Sequence, residues 1–394
     1  MRVVLTNLGS MGDIQPLLAL AYELNCHGHE ATLVAPLQYE EYATNLGIRF
    51  IALGPDLDYR TLQKREIVAH LSDEDPLIMF RRSVGILAAM LPQLVEELEA
   101  ACRSADILVG GHLLPAARIV HECSGIPFAS VHINHFGREA SAPFRALACA
   151  AINPFREKRG LHPVRDPMHI DANSPQLALY AISRYLRSSD PAWPAHHHIT
   201  GFFYMDTPSY VPEPALVQFL ESGDPPVVIG FSSVVHPKPD TVTDSIFSAI
   251  EQVGCRAVVQ HGWSGLGKSR SVPASIYSTG FVQHTWLYPK ASCIVHAGGC
   301  GSTGTGIRSG KPAIVVPHLG EQMIWAELLR SLGCAGTIIP SDLMTTERLS
   351  VGIERTLKNQ ELYRTTAEMA EKVKSEGGVV RARLLLEKLA CHEL

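Results

Sequence analysis

Apolar residues along the chain gather in short unbroken runs, and the stretches between them carry apolar positions at three- and four-residue spacing. RVVLTNL (2–8) leads through a turn, G9-S-M-G12-D13, into a helical pattern at PLLALAYELNCHG (16–28). EATLVAP (30–36), IRFIAL (48–53), ADILVGG (105–111) and IPFASVHI (126–133) continue the series, with helical patterns at 76–101 and 115–124. Runs with no polar alternation read as strands buried on both faces, and their alternation with helices predicts a parallel, doubly wound sheet. From about 137 to 200 the pattern weakens, with a helical stretch at QLALYAISRYL (176–186), and SYVPEP (209–214) reads as a linker. The alternation then restarts at PVVIGFSS (226–233), CRAVVQ (255–260), IYSTGF (276–281), SCIVHA (292–297) and PAIVVP (312–317), with helices over 241–253, from about 302 and over 322–332. From 347 the chain reads as helical to its end. The predicted fold class is therefore α/β: two Rossmann-like, doubly wound domains facing across a cleft, with ligands at the carboxyl edges of the strands.

Composition narrows the class. A length of 394 residues with 46% apolar content supplies two cores. Only 19% of residues are charged and the net charge is −5, with no basic stripe for nucleic acid. The opening MRVVLTNLGSMGD is too short in apolar residues for a signal peptide. No apolar run comes near the roughly 20 residues that span a bilayer. The nine cysteines form no C-x-x-C pair, which fits reduced thiols in a soluble cytoplasmic protein. The expectation at this level is no transmembrane segment, with room left for peripheral membrane contact.

The chemistry concentrates at residues 296–322, HAGGCGSTGTGIRSGKPAIVVPHLGEQ. G299-C-G301-S-T-G304 follows a strand and opens a helix, a pattern that suits any phosphate because helix-start N–H groups and the dipole favour an anion. A dinucleotide site would also need an acid at the tip of the next strand. Glu321 instead lies past a Pro-His-Leu-Gly turn. A reading that uses every feature has His296 and the hydroxyls of Ser302 and Thr303 bind a diphosphate, with Glu321 and Gln322 on the hydroxyls of an attached sugar. No H-x-x-x-H or acidic cluster suggests a metal, and His196-His197-His198 reads as an ordered connector. Asp13, at the turn after the first strand, has the position of an N-cap for a helix starting near Pro16. His112, His132 and His135 follow strand ends and so belong to the ligand edge.

These motifs resemble the inverting GT-B glycosyltransferases grouped as family 1, most of all the bacterial macrolide, glycopeptide, sterol and rhamnolipid branch. G-S-M-G-D-I-Q-P (9–16) is similar to that branch's opening, GFSSVV (230–235) to its phosphate loop, and GFVQHTWLYPKASCIVHAGG (280–299), G306-I-R-S-G-K-P and T346-E-R-L to its donor half. The resemblance implies an acceptor-binding domain at 1–208, a nucleotide-sugar domain at 209–378 and a final helix at 379–394 crossing back to the first. It implies that Phe281 stacks on the nucleobase, bordered by backbone near Val282 and His284. Ser233, His296, Gly301, Ser302 and Thr303 would hold the diphosphate and Glu321 with Gln322 the sugar, with Gly12 and Gly298 also on the donor. Asp13 would act as general base, assisted by His112. Met79, Phe80, His132, His135, Phe136 and Phe144 would face a lipophilic acceptor such as a natural product, a sterol or a hydroxy-fatty-acid lipid. A UDP- or dTDP-sugar would be the co-substrate, with no cofactor and no metal. Three departures stand out: Ser232 where glycine is usual, Ala297 where a second histidine is frequent, and Glu321 where aspartate is usual. The alternatives are a GT-B nucleotide-sugar 2-epimerase, which needs further acid–base groups beside the donor, and an inactive nucleotide-sugar-binding protein, which needs no Asp13.

Overall fold

A computed structural model describes residues 1–56, 61, 75–112, 114–133, 140–189, 191–206, 210–268 and 270–393. The chain forms two compact units: one holds residues 1–56, 75–205 and those from Glu376 onward, the other 206–375.

The first unit is built on a seven-stranded sheet of β1 (Arg2–Thr6), β2 (Glu30–Ala35), β3 (Arg49–Ala52), β4 (Ile107–Gly111), β5 (Phe128–His132), β6 (Leu177–Tyr180) and β7 (His197–Ile199). Their order is β3-β2-β1-β4-β5-β6-β7, every pair parallel. The chain steps outward from β1 to β3, then returns to the other side at β4, so the topological switch lies between β1 and β4. Helices α1 (Met11–Cys26), α2 (Pro76–Cys102), α3 (Pro115–Ser124) and α4 (Ala142–Lys158) cover the faces.

Three expectations are corrected here. The stretch read as helical around 176–186 contains β6, whose four residues are all buried beside β5; a short apolar run has no periodicity that separates strand from helix. Helix α1 begins at Met11, and Pro16 lies inside it rather than at its start. Helix α2 runs 27 residues and is, by length and composition alone, long and apolar enough to cross a membrane, against the expectation that no such run exists. In this unit the C-terminal half of α2 inserts Leu91, Leu94, Val95 and Leu98 into the core beneath the sheet.

The second unit has β8 (Val227–Gly230), β9 (Ala257–Gln260), β10 (Ile276–Thr279), β11 (Ile294–His296), β12 (Ala313–Val315) and β13 (Ala335–Ile338) in the order β10-β9-β8-β11-β12-β13, again all parallel. Its switch point lies between β8 and β11. Around it pack α5 (Pro239–Val253), α6 (Cys300–Arg308), α7 (Gly320–Ser331), α8 (Thr346–Lys358) and α9 (Gln360–Lys374).

The last helix, α10 (Gly378–Ala390), belongs to the first unit and packs on α1. It contributes Ala382, Leu386 and Leu389 to that core. Around this apolar seam, Arg383 donates to Glu23 at 3.1 Å and to Glu387 at 2.6 Å, and Glu387 meets His29 at 2.9 Å. The helix enters through a close backbone approach: a Cβ at Gly378 would lie 2.4 Å from the carbonyl oxygens of both Gly201 and Phe202.

Candidate functional site

Each switch point gathers part of the predicted chemistry. In the first unit, Ser10 is the N-cap of α1 and Asp13 occupies its third helical position. Asp13 Oδ2 accepts from the Ser10 backbone N–H at 2.7 Å and from its hydroxyl at 3.0 Å. Asp13 is thus part of a capping box rather than the N-cap expected from its position before Pro16. Gly9 has φ +116°, and a Cβ there would lie 2.5 Å from Asp13 Oδ2, so a side chain would displace the carboxylate. The other oxygen, Oδ1, faces His112 Nε2 at 3.8 Å, within ion-pair reach and beyond hydrogen-bond length. Burial lowers the pKa of His112, with the Asp13 charge opposing, and its Nδ1 is buried with no hydrogen-bond partner.

His132 is not available at the ligand edge. It is buried, its Nε2 is 2.9 Å from the Ser130 hydroxyl, and its ring stacks on Tyr180 at 4.8 Å. Burial pushes its pKa down to about 3, the mark of a neutral core histidine. The reason is register: His132 is the last residue of β5, paired across the sheet with Tyr180. Phe80 and Phe144 meet edge to face with centroids 5.0 Å apart, joining α2 to α4, and Met79 sits half-buried beside Phe80. His135 and Phe136 lie outside the described residues. His197, the middle of the histidine triplet, is in β7 and meets the Tyr180 hydroxyl at 3.2 Å. Among the described residues no group of three or more His, Cys, Asp and Glu is placed to hold a metal ion.

The second switch point assembles the glycine-rich segment. His296 ends β11 and is fully buried; its Nδ1 accepts from the Gly298 N–H at 3.0 Å. Burial holds its pKa down to about 3, so the ring is neutral and its proton resides on Nε2. That Nε2 donor is buried and has no partner. Gly298, at φ +87°, makes the turn; a Cβ would lie 2.8 Å from the Gln322 carbonyl oxygen and 2.9 Å from Val315 Cγ1. Gly299 then N-caps α6, and no side chain caps its first turn. Gly301 and Ser302 line that turn, and Thr303 lies beneath it, its hydroxyl buried and without a partner. From the β8 side, Ser233 is half-buried and Ser232 brings its hydroxyl to 3.4 Å from that of Ser302.

The remaining residues expected on the donor side separate. Phe281 is 71% exposed, an apolar ring presented to solvent. Val282 is buried and its carbonyl accepts from Gln260 Nε2 at 3.2 Å, while His284 turns inward, stacked on Tyr288 at 4.4 Å and bonded to Gln260 Oε1 at 3.1 Å. Glu321 is exposed in the first turn of α7. Gln322 is partly committed, because its Oε1 accepts from the backbone N–H groups of His318 at 2.7 Å and Leu319 at 3.2 Å. Gly12 lies in α1 of the first unit. Sequence reasoning passed over His318, which is buried, bonded through Nδ1 to the Val316 carbonyl at 2.8 Å and packed on Phe231. Its position between a buried strand and a helix start was the available signal.

Comparison with known proteins bears on the fold and the class of the chain. Residues 3–142 match the glycosyltransferase family 28 N-terminal domain, and residues 245–379 the C-terminal domain of the erythromycin biosynthesis protein CIII-like family. A sterol 3-beta-glucosyltransferase of Arabidopsis thaliana is 28% identical over 97% of this chain, which spans 64% of that relative's length. The O-mycaminosyltylonolide 6-deoxyallosyltransferase of Streptomyces fradiae is 26% identical over 99% of this chain and 98% of its own. Among solved structures, the spinosyn rhamnosyltransferase in complex with thymidine diphosphate superposes with a TM-score of 0.75 at 16% identity, covering 99% of this chain and all of its own, which establishes the shared fold. The two matched domains and the shared fold place the chain with glycosyltransferases of the GT-B fold, and the relatives it is similar to include macrolide and sterol enzymes.

Proposed function

We propose that this protein is an inverting glycosyltransferase that moves a sugar from a UDP- or dTDP-linked donor to a hydroxyl of a lipophilic small molecule of the sterol or macrolide type. The observation that carries this reading is the β11–α6 junction. There, a helix start that no side chain caps adjoins two buried donors that lack partners, His296 Nε2 and the Thr303 hydroxyl. Buried donors of this kind are costly unless an acceptor arrives, and a diphosphate supplies several. The macrolide and sterol transferases among the relatives support the acceptor class.

The chemistry follows from a single displacement at the anomeric carbon. The acceptor oxygen forms the new C–O bond as the bond to the diphosphate oxygen breaks, and the acceptor proton passes to the Asp13 carboxylate. Ser10 holds that carboxylate through Oδ2, leaving the Oδ1 side, next to His112, for the acceptor hydroxyl. A neutral His112 in its Nε2–H tautomer would orient Oδ1 and stabilise the carboxylate between turnovers. In the second unit, the charge growing on the departing nucleoside diphosphate meets the α6 amides, the small hydroxyls and the His296 donor, so the proposed reaction uses no divalent cation. The cytoplasm, where nucleotide sugars are made, is the proposed location.

The test is transfer itself. Incubation with α-linked UDP- or dTDP-sugars and a panel of sterols and macrolide aglycones, with a chelator present, is expected to yield a β-glycoside by NMR. A product of retained configuration would overturn the inverting mechanism, and formation of only an epimerised nucleotide sugar would favour the epimerase.

A further inference from the structure

Outside both switch points, the first unit holds an open cavity of about 400 Å³ lined by Ala142, Arg145, Ala146, Cys149 and Arg165. The first four stand at i, i+3, i+4 and i+7 of α4, along one face of that helix. The opposite face is spent on packing: Ala148 and Ile152 enter the core, and Phe144 meets Phe80. The two alanines leave room beside the helix, and polar contacts hold the segment across from it. Cys149 donates its thiol to the Arg165 carbonyl at 3.2 Å, and one turn on Asn153 exchanges two bonds with Val164, at 2.9 Å and 3.1 Å. The Arg165 N–H donates to Asp171 Oδ2 at 2.9 Å. With its backbone fixed at these points, the exposed Arg165 lines the cavity together with the half-buried Arg145. Two guanidiniums thus share one cavity, and among the described residues its lining holds no carboxylate. The neighbouring acids are engaged elsewhere. Asp171 accepts the N–H groups of Arg165 and Asp166, while buried Asp166 accepts from the Ala140 N–H at 2.9 Å and meets His169 at 3.2 Å. His169 in turn lies near the proposed base: burial lowers the His112 pKa, Asp13 opposes the shift, and His169 adds to it.

We propose that this cavity is a subsite for a carboxylate carried by the lipophilic acceptor, held between the guanidiniums of Arg145 and Arg165. A guanidinium presents paired N–H donors that match the two oxygens of a carboxylate, and two of them neutralise it on both sides. The Phe80–Phe144 contact, one residue along α4 from Arg145, offers apolar surface for the rest of the molecule. The acceptor class narrows accordingly, from any lipophilic alcohol to one that also bears an acid. This assignment rests on the reading of the protein as a glycosyltransferase of lipophilic hydroxyls.

The test compares two probes that differ in the acid alone: a hydroxylated steroid carboxylic acid and its methyl ester, each titrated calorimetrically into the full chain. The wild-type protein is expected to bind the acid about tenfold more tightly than the ester, the size of a hydrogen bond to a charged group. Arg165→Gln and Arg145→Gln should each remove most of that preference, with the affinities for the ester and for UDP or dTDP unchanged. Arg165 is exposed, so its substitution keeps the test valid even if Arg145→Gln disturbs the fold. Equal affinity for acid and ester, a preference that survives both substitutions, or binding of neither probe would overturn the subsite. Binding of inorganic phosphate that depends on both arginines, with no preference for acid over ester, would overturn it too and assign the cavity to a free anion. If the wild-type protein bound neither UDP nor dTDP, the glycosyltransferase reading itself would fall, and the acceptor assignment with it.

Discussion

The two oxygens of Asp13 do different things: Oδ2 closes the capping box with Ser10, and Oδ1 faces His112. A structural and a catalytic role therefore coexist in one side chain, and two substitutions divide them. Asp13→Asn keeps an oxygen to accept from the Ser10 N–H but has no basic carboxylate. It is expected to lower kcat by about 10²–10⁴-fold with donor affinity unchanged. Asp13→Ala should add a stability loss of about 1 kcal/mol from the broken cap, measured by denaturant unfolding. A fall in donor affinity in Asp13→Asn would show that the carboxylate maintains structure rather than taking the proton. Asp13 itself was legible in the sequence because it follows a buried strand. Its place in the helix was not, since Pro16 reads as a first-turn residue and α1 accommodates it in its interior.

One strand in each sheet ends in a buried histidine, and such rings make the elements sensitive to acid. His132 closes β5, His296 closes β11, and His318 follows β12; burial holds their pKa values down to about 3, 3 and 4, against an ordinary value of 6.5. Above pH 6.5 these rings are neutral whether the chain is folded or unfolded, so they favour neither state. As the pH falls below 6.5 the unfolded chain takes up protons that the folded one refuses, and stability declines until the folded pKa values are reached. Denaturation midpoints are expected to drop between pH 7 and pH 4, and His132→Gln should flatten that slope. A midpoint that holds level across this range would contradict the burial assigned to these rings. The same strands were readable from their apolar runs, whereas β6 and β7 were not. Leu177–Tyr180 is too short for periodicity to decide, and β7 carries two histidines that resemble a connector.

At the scale of the whole molecule, two parallel sheets each reverse their strand order once, and part of the predicted chemistry falls at the two reversals. The doubling was visible in the repeated alternation of strand and helix. The extra strands of the first sheet were not, because their pairing depends on neighbours distant in sequence; nor were the bonds of His132 to Ser130 and of Gln322 to His318, which are local but depend on which way each side chain turns. The central claim is that the second reversal holds a nucleoside diphosphate bearing a sugar. It is tested most directly by calorimetric titration of the full chain with UDP-glucose, UDP-GlcNAc, dTDP-glucose and dTDP-rhamnose in the presence of a chelator. Micromolar binding of one of them is the result expected. Failure of all four to bind, and of free UDP and dTDP with them, would contradict it.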